Sequence, residues 1–249
     1  MSAPVFISAD ASDAVVGSVI GLAGAEGRHA ATVQRRTVGE AVDLVDGKGT
    51  RASCRIVAVH EGRIEGVVEA ISHDDDPPVA LIQALAKGGR DEQAVESSVE
   101  LGATAVIPWA ADRSIVQWRG PKVAKAIASW EALCVAAAKQ SRRALVPTVE
   151  PLVTTRELVA RVETAVASGS RVLVLHEAAT EPISALTWDE ARQPVWLVVG
   201  PEGGISATEL ESLEAAGAIA VRLGAHVLRA STAGPAALAA LAATRGTWA

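Results

Sequence analysis

Along the first third of the chain, apolar and polar residues alternate in short runs. PVFIS (4–8), GSVIGL (17–22), EAVDLV (40–45), ASCRIVAVH (52–60) and IEGVVEAI (64–71) are separated by turn-forming stretches such as DGKG and EGR. A period of two, in short segments punctuated by glycine, predicts strands of a small β-barrel or sandwich. The acidic, proline-bearing stretch SHDDDPP (72–78) breaks the pattern and reads as a linker. The boundary placed there gives an N-terminal domain of residues 1–74 and a C-terminal domain of residues 75–249.

Beyond Val79 the pattern changes to strand, helix, strand, helix. VALIQAL (79–85) reads as a buried strand, and DEQAVESSVELG (91–102) puts Val95 and Val99 on one helix face before Gly102. TAVIPW (104–109) is the next strand. The stretch from Pro121 to Arg143 carries Val123, Ile127, Trp130, Leu133, Cys134 and Ala137 at helical spacing, which predicts a long amphipathic helix with a basic end. Thr154 and Glu157 stand at capping-box spacing before an apolar stripe of Leu158, Val162 and Val166. RVLVLHE, PVWLVVG and AIAVRLG each carry a continuous apolar run, as strands covered on both faces do. The C-terminal domain is therefore α/β with a mainly parallel sheet.

Two unusual loops follow consecutive strands near the C-terminus. The first, GPEGGIS (200–206), is a glycine-rich elbow, and Ser206 and Glu209 at capping-box spacing start a helix at Ala207. The second, LGAHVLRAST (223–232), precedes a last helix. A third strand end, LVLHE, brings His176 and Glu177 to the same rim, where open α/β sheets bind ligands. The elbow fits neither the dinucleotide pattern nor the P-loop, and Glu202 within it disfavours an anion. A neutral or cationic ligand suits it better; a tight turn with no ligand is the structural alternative.

Composition adds limits. The 249 residues are 49% hydrophobic, enough for one large domain or two smaller ones. No apolar run approaches the roughly 20 residues of a bilayer span. The opening MSAPVFISADASDAVVG has no basic stretch followed by an apolar block, so a cytoplasmic protein is expected. Cys54 and Cys134 stand far apart without neighbouring ligands, which implies neither a disulfide framework nor a metal site. Net charge is −6, yet residues 79–147 hold nine Lys and Arg against six Asp and Glu. A basic middle segment in an acidic chain fits either a phosphate-facing surface or an ordinary solvated helix.

VVGPEGGIS followed by LGAHVLRAST, with LVLHE upstream, resembles the cofactor-binding signature of SPOUT-class RNA methyltransferases. More narrowly, the chain is similar to their RsmE-type small-subunit ribosomal RNA (uracil-N3)-methyltransferases. RHAATVQRRTVGEAVDLVDGKG is similar to that family's PUA-like β-barrel. ALAKGGRDEQAVESSVELGATAVIPWAADRS and WEALCVAAAKQSRRALVPTV resemble its middle motifs. The resemblance implies a C-terminal domain tied in a deep trefoil knot and a homodimer, with Leu238 and Leu241 of the last helix at the subunit interface. It implies S-adenosylmethionine as cofactor, cradled by backbone around Leu175, Gly200, Leu223 and Leu228. His176, Glu177, Val199 and Gly203 lie close by, as do Ile205, Gly224 and Val227. The chain departs from the family at His226, where arginine is common, at Ser231, where glutamate is usual, and at Lys139, often glutamate.

The implied substrate is 16S rRNA or the assembled small subunit, with no membrane and no metal involved. Uracil N3 is buried when paired, so the target must be unpaired or flipped out, and its charge must be stabilised as the proton leaves. Arg229 is the first candidate for that role; pairing with a carboxylate is its structural alternative. Arg90 and Arg113 are candidates for gripping the target's phosphate, and Glu202 or His226 for accepting the proton, with solvent equally open. RNA grip falls to Arg35 and Arg36 on the barrel and to Lys139, Arg142 and Arg143 at the long helix's end. Stacking on an aromatic would have to use Trp109 or Trp118, both of which also read as structural. A ribose 2′-O methyltransferase and a non-catalytic ribosome-assembly factor are the competing readings.

Overall fold

The computed structural model describes residues 3–188 and 190–248. They form two compact units: the chain up to Asp75 together with Ala138–Val146, and Asp76–Ala137 together with the chain from Pro147 onward.

The first unit holds strands β1 (Val5–Ile7), β2 (Val19–Leu22), β3 (Ala41–Val45), β4 (Thr50–His60) and β5 (Arg63–His73), with a short helix α1 (Gly24–Arg28). Its sheet runs in the order β1-β3-β4-β5-β2, antiparallel except for β1 on β3. Two register shifts, at Ser53/Cys54 and Ile56/Ala58, bend the long β4–β5 hairpin and curl the sheet. Alternate residues Ala52, Cys54 and Ile56 of β4 and Ile64 and Val68 of β5 point into one core around Phe6. Cys54 and Cys134 are both buried and form no disulfide among the described residues. The alternation in sequence had not shown α1 or the π-helical turn His29–Val33 that follows it.

Segment 138–146 joins this unit through Arg51. Its guanidinium donates to Asp43 at 3.0 Å, to Asp74 at 3.3 Å and to the carbonyl of Arg142 at 2.7 Å. The Asp74 carboxylate in turn accepts the amides of Ala144 and Leu145.

In the second unit, β6 (Val79–Ala84), α2 (Arg90–Glu100), β7 (Ala105–Ala110) and α3 (Pro121–Gln140) follow in order. Then come β8 (Thr148–Val149), β9 (Val153–Thr154), α4 (Thr155–Ala167), β10 (Arg171–Leu175) and β11 (Val195–Val199). The elements α5 (Ala207–Ala215), β12 (Ile219–Val221) and α6 (Ala230–Thr244) close the fold. Among the described residues the sheet has seven strands, all pairs parallel, in the order β12-β10-β11-β6-β7-β8, with β9 also on β7. Every residue of β6 is buried at the centre of the sheet, including Gln83, whose side-chain amide donates to the Ala84 carbonyl at 3.0 Å. Both capping boxes form, at Thr154 with Glu157 and at Ser206 with Glu209. The long helix stops at Gln140, short of the Arg143 expected, because Arg142 takes a left-handed φ of 61°. The last helix starts at Ala230, one turn before the expected Ala233. Among the described residues no helix is long and apolar enough to cross a membrane.

One expectation needs correction here. Leu238 and Leu241 are 3% and 2% exposed, because α6 packs on α2, β6 and β11 of its own chain. They belong to the subunit's core and are not free to form an interface with a second copy.

Glu209, the N3 residue of α5, does more than cap its own helix. Buried to 2% exposure, its carboxylate accepts the Asp112 amide and the Thr155 hydroxyl, each at 2.8 Å, and the Ser206 amide at 2.9 Å. Trp109 Nε1 donates to the same Thr155 hydroxyl at 3.2 Å, which accounts for this tryptophan structurally. Burial pushes the Glu209 carboxyl up, but the donors from Asp112, Ser206 and Thr155 outweigh it and leave its pKa below the ordinary 4.5. A carboxyl depressed on folding stabilises the native state above its unfolded pKa, and that stability is lost as pH falls through the folded value. Wild-type stability from urea unfolding is therefore expected to drop below pH 4.5, and Glu209→Gln to flatten that part of the profile. Glu209→Ala, which orphans three buried donors, is expected to cost about 3 kcal/mol at pH 7.

Candidate functional site

The carboxyl ends of β10 and β11 and the loop after β12 open onto one cleft of about 400 Å³. Leu175, His176 and Glu177 enter from β10, the segment Val199–Ile205 from β11, and Val227, Leu228 and Arg229 from the loop before α6. Arg90, at the start of α2, closes the remaining side. Leu223, Gly224 and His226 line a smaller hollow of about 70 Å³ that shares Leu175, His176 and Glu177 with the cleft. The backbone ties two rims together, because the His176 amide donates to the Val221 carbonyl at 3.0 Å.

The elbow owes its shape to close contacts that exclude a side chain. A Cβ on Gly200 would lie 2.7 Å from Cγ1 of Ile205, itself only 4% exposed. A Cβ on Gly203 would lie 3.0 Å from Cβ of Arg113. Gly204 then turns the chain with φ of 71°, a conformation open to glycine at little cost.

Glu202 anchors the elbow to the β6–α2 loop. Its Oε1 accepts the Lys87 amide at 3.0 Å and Arg90 Nη1 at 3.2 Å. Both contacts fall on one oxygen and tether the elbow, while Oε2 is buried without a hydrogen-bond partner among the described residues. Arg113 braces the elbow from outside, donating from Nη1 to the Gly203 carbonyl at 3.0 Å, and it is not among the residues that line the cleft. Arg229 differs from both. It is exposed in the cleft, and its guanidinium has no hydrogen-bond or ion-pair partner among the described residues, so the carboxylate pairing considered for it is not made.

The lining suits a cationic nucleoside-type ligand. Leu175, Val199, Ile205 and Leu228 supply apolar wall, Arg90 pairs with Glu202, and Glu177 offers an exposed carboxylate and Arg229 an open guanidinium, with no lysine in the lining among the described residues. Gly204, expected in the elbow, lines it as well, and so do Pro201, Ala230 and Ala233, which had not been singled out. The first two stand inside the GPEGG motif, while the two alanines carry no sequence signal of their own.

The residues expected to grip RNA all fall in the first unit. Arg35 is exposed with a left-handed φ of 52°, and Arg36 is held by the Gln34 side chain at 3.0 Å. Arg142 is exposed. Lys139 is paired with Glu26 at 2.5 Å. Arg143 is only 8% exposed, so burial removes it from any outer surface. The helical spacing that suggested a basic end ceases at Gln140, and the fold turns Arg143 inward.

Comparison with known proteins agrees with this architecture. The RNA methyltransferase domain family matches residues 74–242, and the RNA methyltransferase PUA domain family matches residues 22–69. A Mycobacterium bovis protein named ribosomal RNA small subunit methyltransferase E is 44% identical over 234 residues, covering 93% of this chain and 89% of its own. A Bacillus subtilis protein of the same name is 29% identical over 229 residues, 88% of each chain. The crystal structure of a ribosomal RNA small subunit methyltransferase E from Neisseria gonorrhoeae, bound to S-adenosyl methionine, superposes with a TM-score of 0.84 at 29% identity, covering 97% of this chain and 98% of that one. By its two domain matches and by its likeness to these relatives over nearly its whole length, the chain belongs to the RsmE family of SPOUT-class RNA methyltransferases.

Proposed function

We propose that this chain transfers a methyl group from S-adenosylmethionine to N3 of a uridine in small-subunit ribosomal RNA. The observation that carries the reading is the cleft itself. Three loops from adjacent strand ends converge on a pocket with an apolar wall, an exposed carboxylate at Glu177 and, among the described residues, one unpaired guanidinium at Arg229. The relative from Neisseria gonorrhoeae, at 0.84 TM-score, is described as bound to S-adenosyl methionine. The names of the Mycobacterium bovis and Bacillus subtilis relatives supply the small-subunit RNA.

Leu175, Gly200, Leu223 and Leu228 are the backbone positions that would hold the cofactor, with Glu177 offering a carboxylate to its positive charge. When bound, S-adenosylmethionine supplies an electrophilic methyl on a sulfonium. The chain's own contribution is alignment and charge. Arg229 faces the acceptor and stabilises the anion that develops as N3 loses its proton. Arg90, held by Glu202, orients the target nucleotide from the opposite side. Glu202 accepts both of its donors through Oε1, and the N3 proton passes to solvent.

In the same reading residues 1–74 bind RNA, residues 75–249 carry the transfer, and the chain between β10 and α6 threads the trefoil knot of its family. The protein works in the cytoplasm as a homodimer, through a surface other than Leu238 and Leu241.

Incubating the protein with S-adenosylmethionine and purified small subunits, then digesting the RNA to nucleosides for mass spectrometry, is expected to yield 3-methyluridine. A 2′-O-methylated nucleoside in its place contradicts the proposal. Arg229→Ala is expected to lower kcat about 100-fold, as loss of one charge-stabilising donor does, with cofactor affinity from calorimetry little changed.

A further inference from the structure

A second hollow, of about 390 Å³, adjoins the same first turn of α2. Arg90 lines the cleft, whereas its neighbours Gly89, Asp91 and Glu92 line the hollow. The facing wall comes from the loop after β7 and the first turns of α3, through Trp118, Lys122 and Lys125.

The chemistry of these walls is specific. Trp118 is half-buried and meets the buried Trp130 at a ring-centroid distance of 5.1 Å and an interplanar angle of 83°. That contact immobilises an indole which still borders the hollow. Lys122 and Lys125, three residues apart on one face of α3, are exposed and form no ion pair among the described residues. Asp91 is occupied, accepting the Ala86 amide at 3.1 Å and the Glu92 amide at 3.0 Å. The Glu92 carboxylate is exposed and has no hydrogen-bond partner among the described residues.

We propose that this hollow receives a second nucleotide of the RNA, adjacent to the uridine in the cleft. Its base stacks on Trp118 and its phosphate faces Lys122 and Lys125. The proposal rests on the RNA methyltransferase reading above and extends it from one nucleotide to two. A fixed aromatic beside cations is how proteins hold unpaired bases, because every base offers a π-face and every nucleotide a phosphate. Glu92 adds selectivity, since a carboxylate accepts from an exocyclic amino group, and favours cytosine, adenine or guanine over uracil at this position. The cationic rim fits a polyanion better than a second copy of the chain.

The test is steady-state methylation of purified small subunits by four variants: Trp118→Ala, Trp118→Phe, the pair Lys122→Glu with Lys125→Glu, and Glu92→Gln. Trp118→Ala and the lysine pair are expected to raise KM for the subunit about 10-fold, within the range for loss of one stacked base. kcat and the calorimetric Kd for S-adenosylmethionine should stay near wild type, and Trp118→Phe should recover most of the loss. The lysine pair should also make the log–log salt dependence of RNA binding shallower by about 1. Glu92→Gln should leave KM within about 3-fold of wild type, as a selectivity role allows. If Trp118→Ala does not fold, the lysine pair decides. An unchanged KM and salt slope in that pair, with wild-type activity intact, overturns the second-nucleotide site alone. A changed molecular mass in sedimentation makes the hollow a subunit interface and also overturns it. Wild-type protein that methylates no small-subunit RNA overturns both this site and the function on which it rests.

Discussion

The backbone of the elbow after β11 approaches its neighbours too closely to carry side chains. Gly200 sits against Ile205 and Gly203 against Arg113, so the chain turns sharply at the sheet's carboxyl edge and leaves space on its other side. Much of the site follows from that turn. It delivers Glu202 to the Lys87 amide and Arg90, and it sets Ser206 and Glu209 where α5 begins. Glu209 then gathers the loop at Asp112, the start of α4 at Thr155 and the start of α5 into one buried hydrogen-bonded junction beneath the cleft. Such a junction fixes loops as firmly as a sheet fixes strands, because a buried carboxylate without its donors is costly.

Charge around the cleft is divided between support and chemistry. Glu202 with Arg90 and Arg113 with the Gly203 carbonyl are closed pairs that hold shape. Arg229 and Glu177 are left open toward the space between the loops. This division gives a pocket able to accept a positive methyl donor while keeping a cation for an acceptor that becomes negative. A phosphate-binding loop would need the reverse, free amides and a lysine at the elbow.

Much of the architecture was legible in the sequence because single physical rules governed it. Alternation marked β4 and β5, a largely apolar stretch marked β6, continuous apolar runs marked β10 and β11, and both capping boxes stood at their spacing. The elbow stood out because its glycines fit neither phosphate-loop pattern and enclose a carboxylate, Glu202. What escaped notice depended on tertiary context. Burial of Arg143 and the inward face of Leu238 and Leu241 follow from packing that helical spacing does not encode. The shift of residues 138–146 into the first unit rests on Arg51 and Asp74, distant in sequence. The separation of Arg90 from Arg113, one facing the cleft and the other behind it, is likewise invisible without coordinates.

Calorimetric titration of S-adenosylmethionine into the wild-type chain and into Gly200→Ala tests most directly whether the elbow's close packing creates the cofactor site. A single added carbon, forced against Ile205, is expected to weaken binding at least about 10-fold, in line with the cost of overpacking a tight contact. Equal affinity in the two proteins, with both folded, would contradict it.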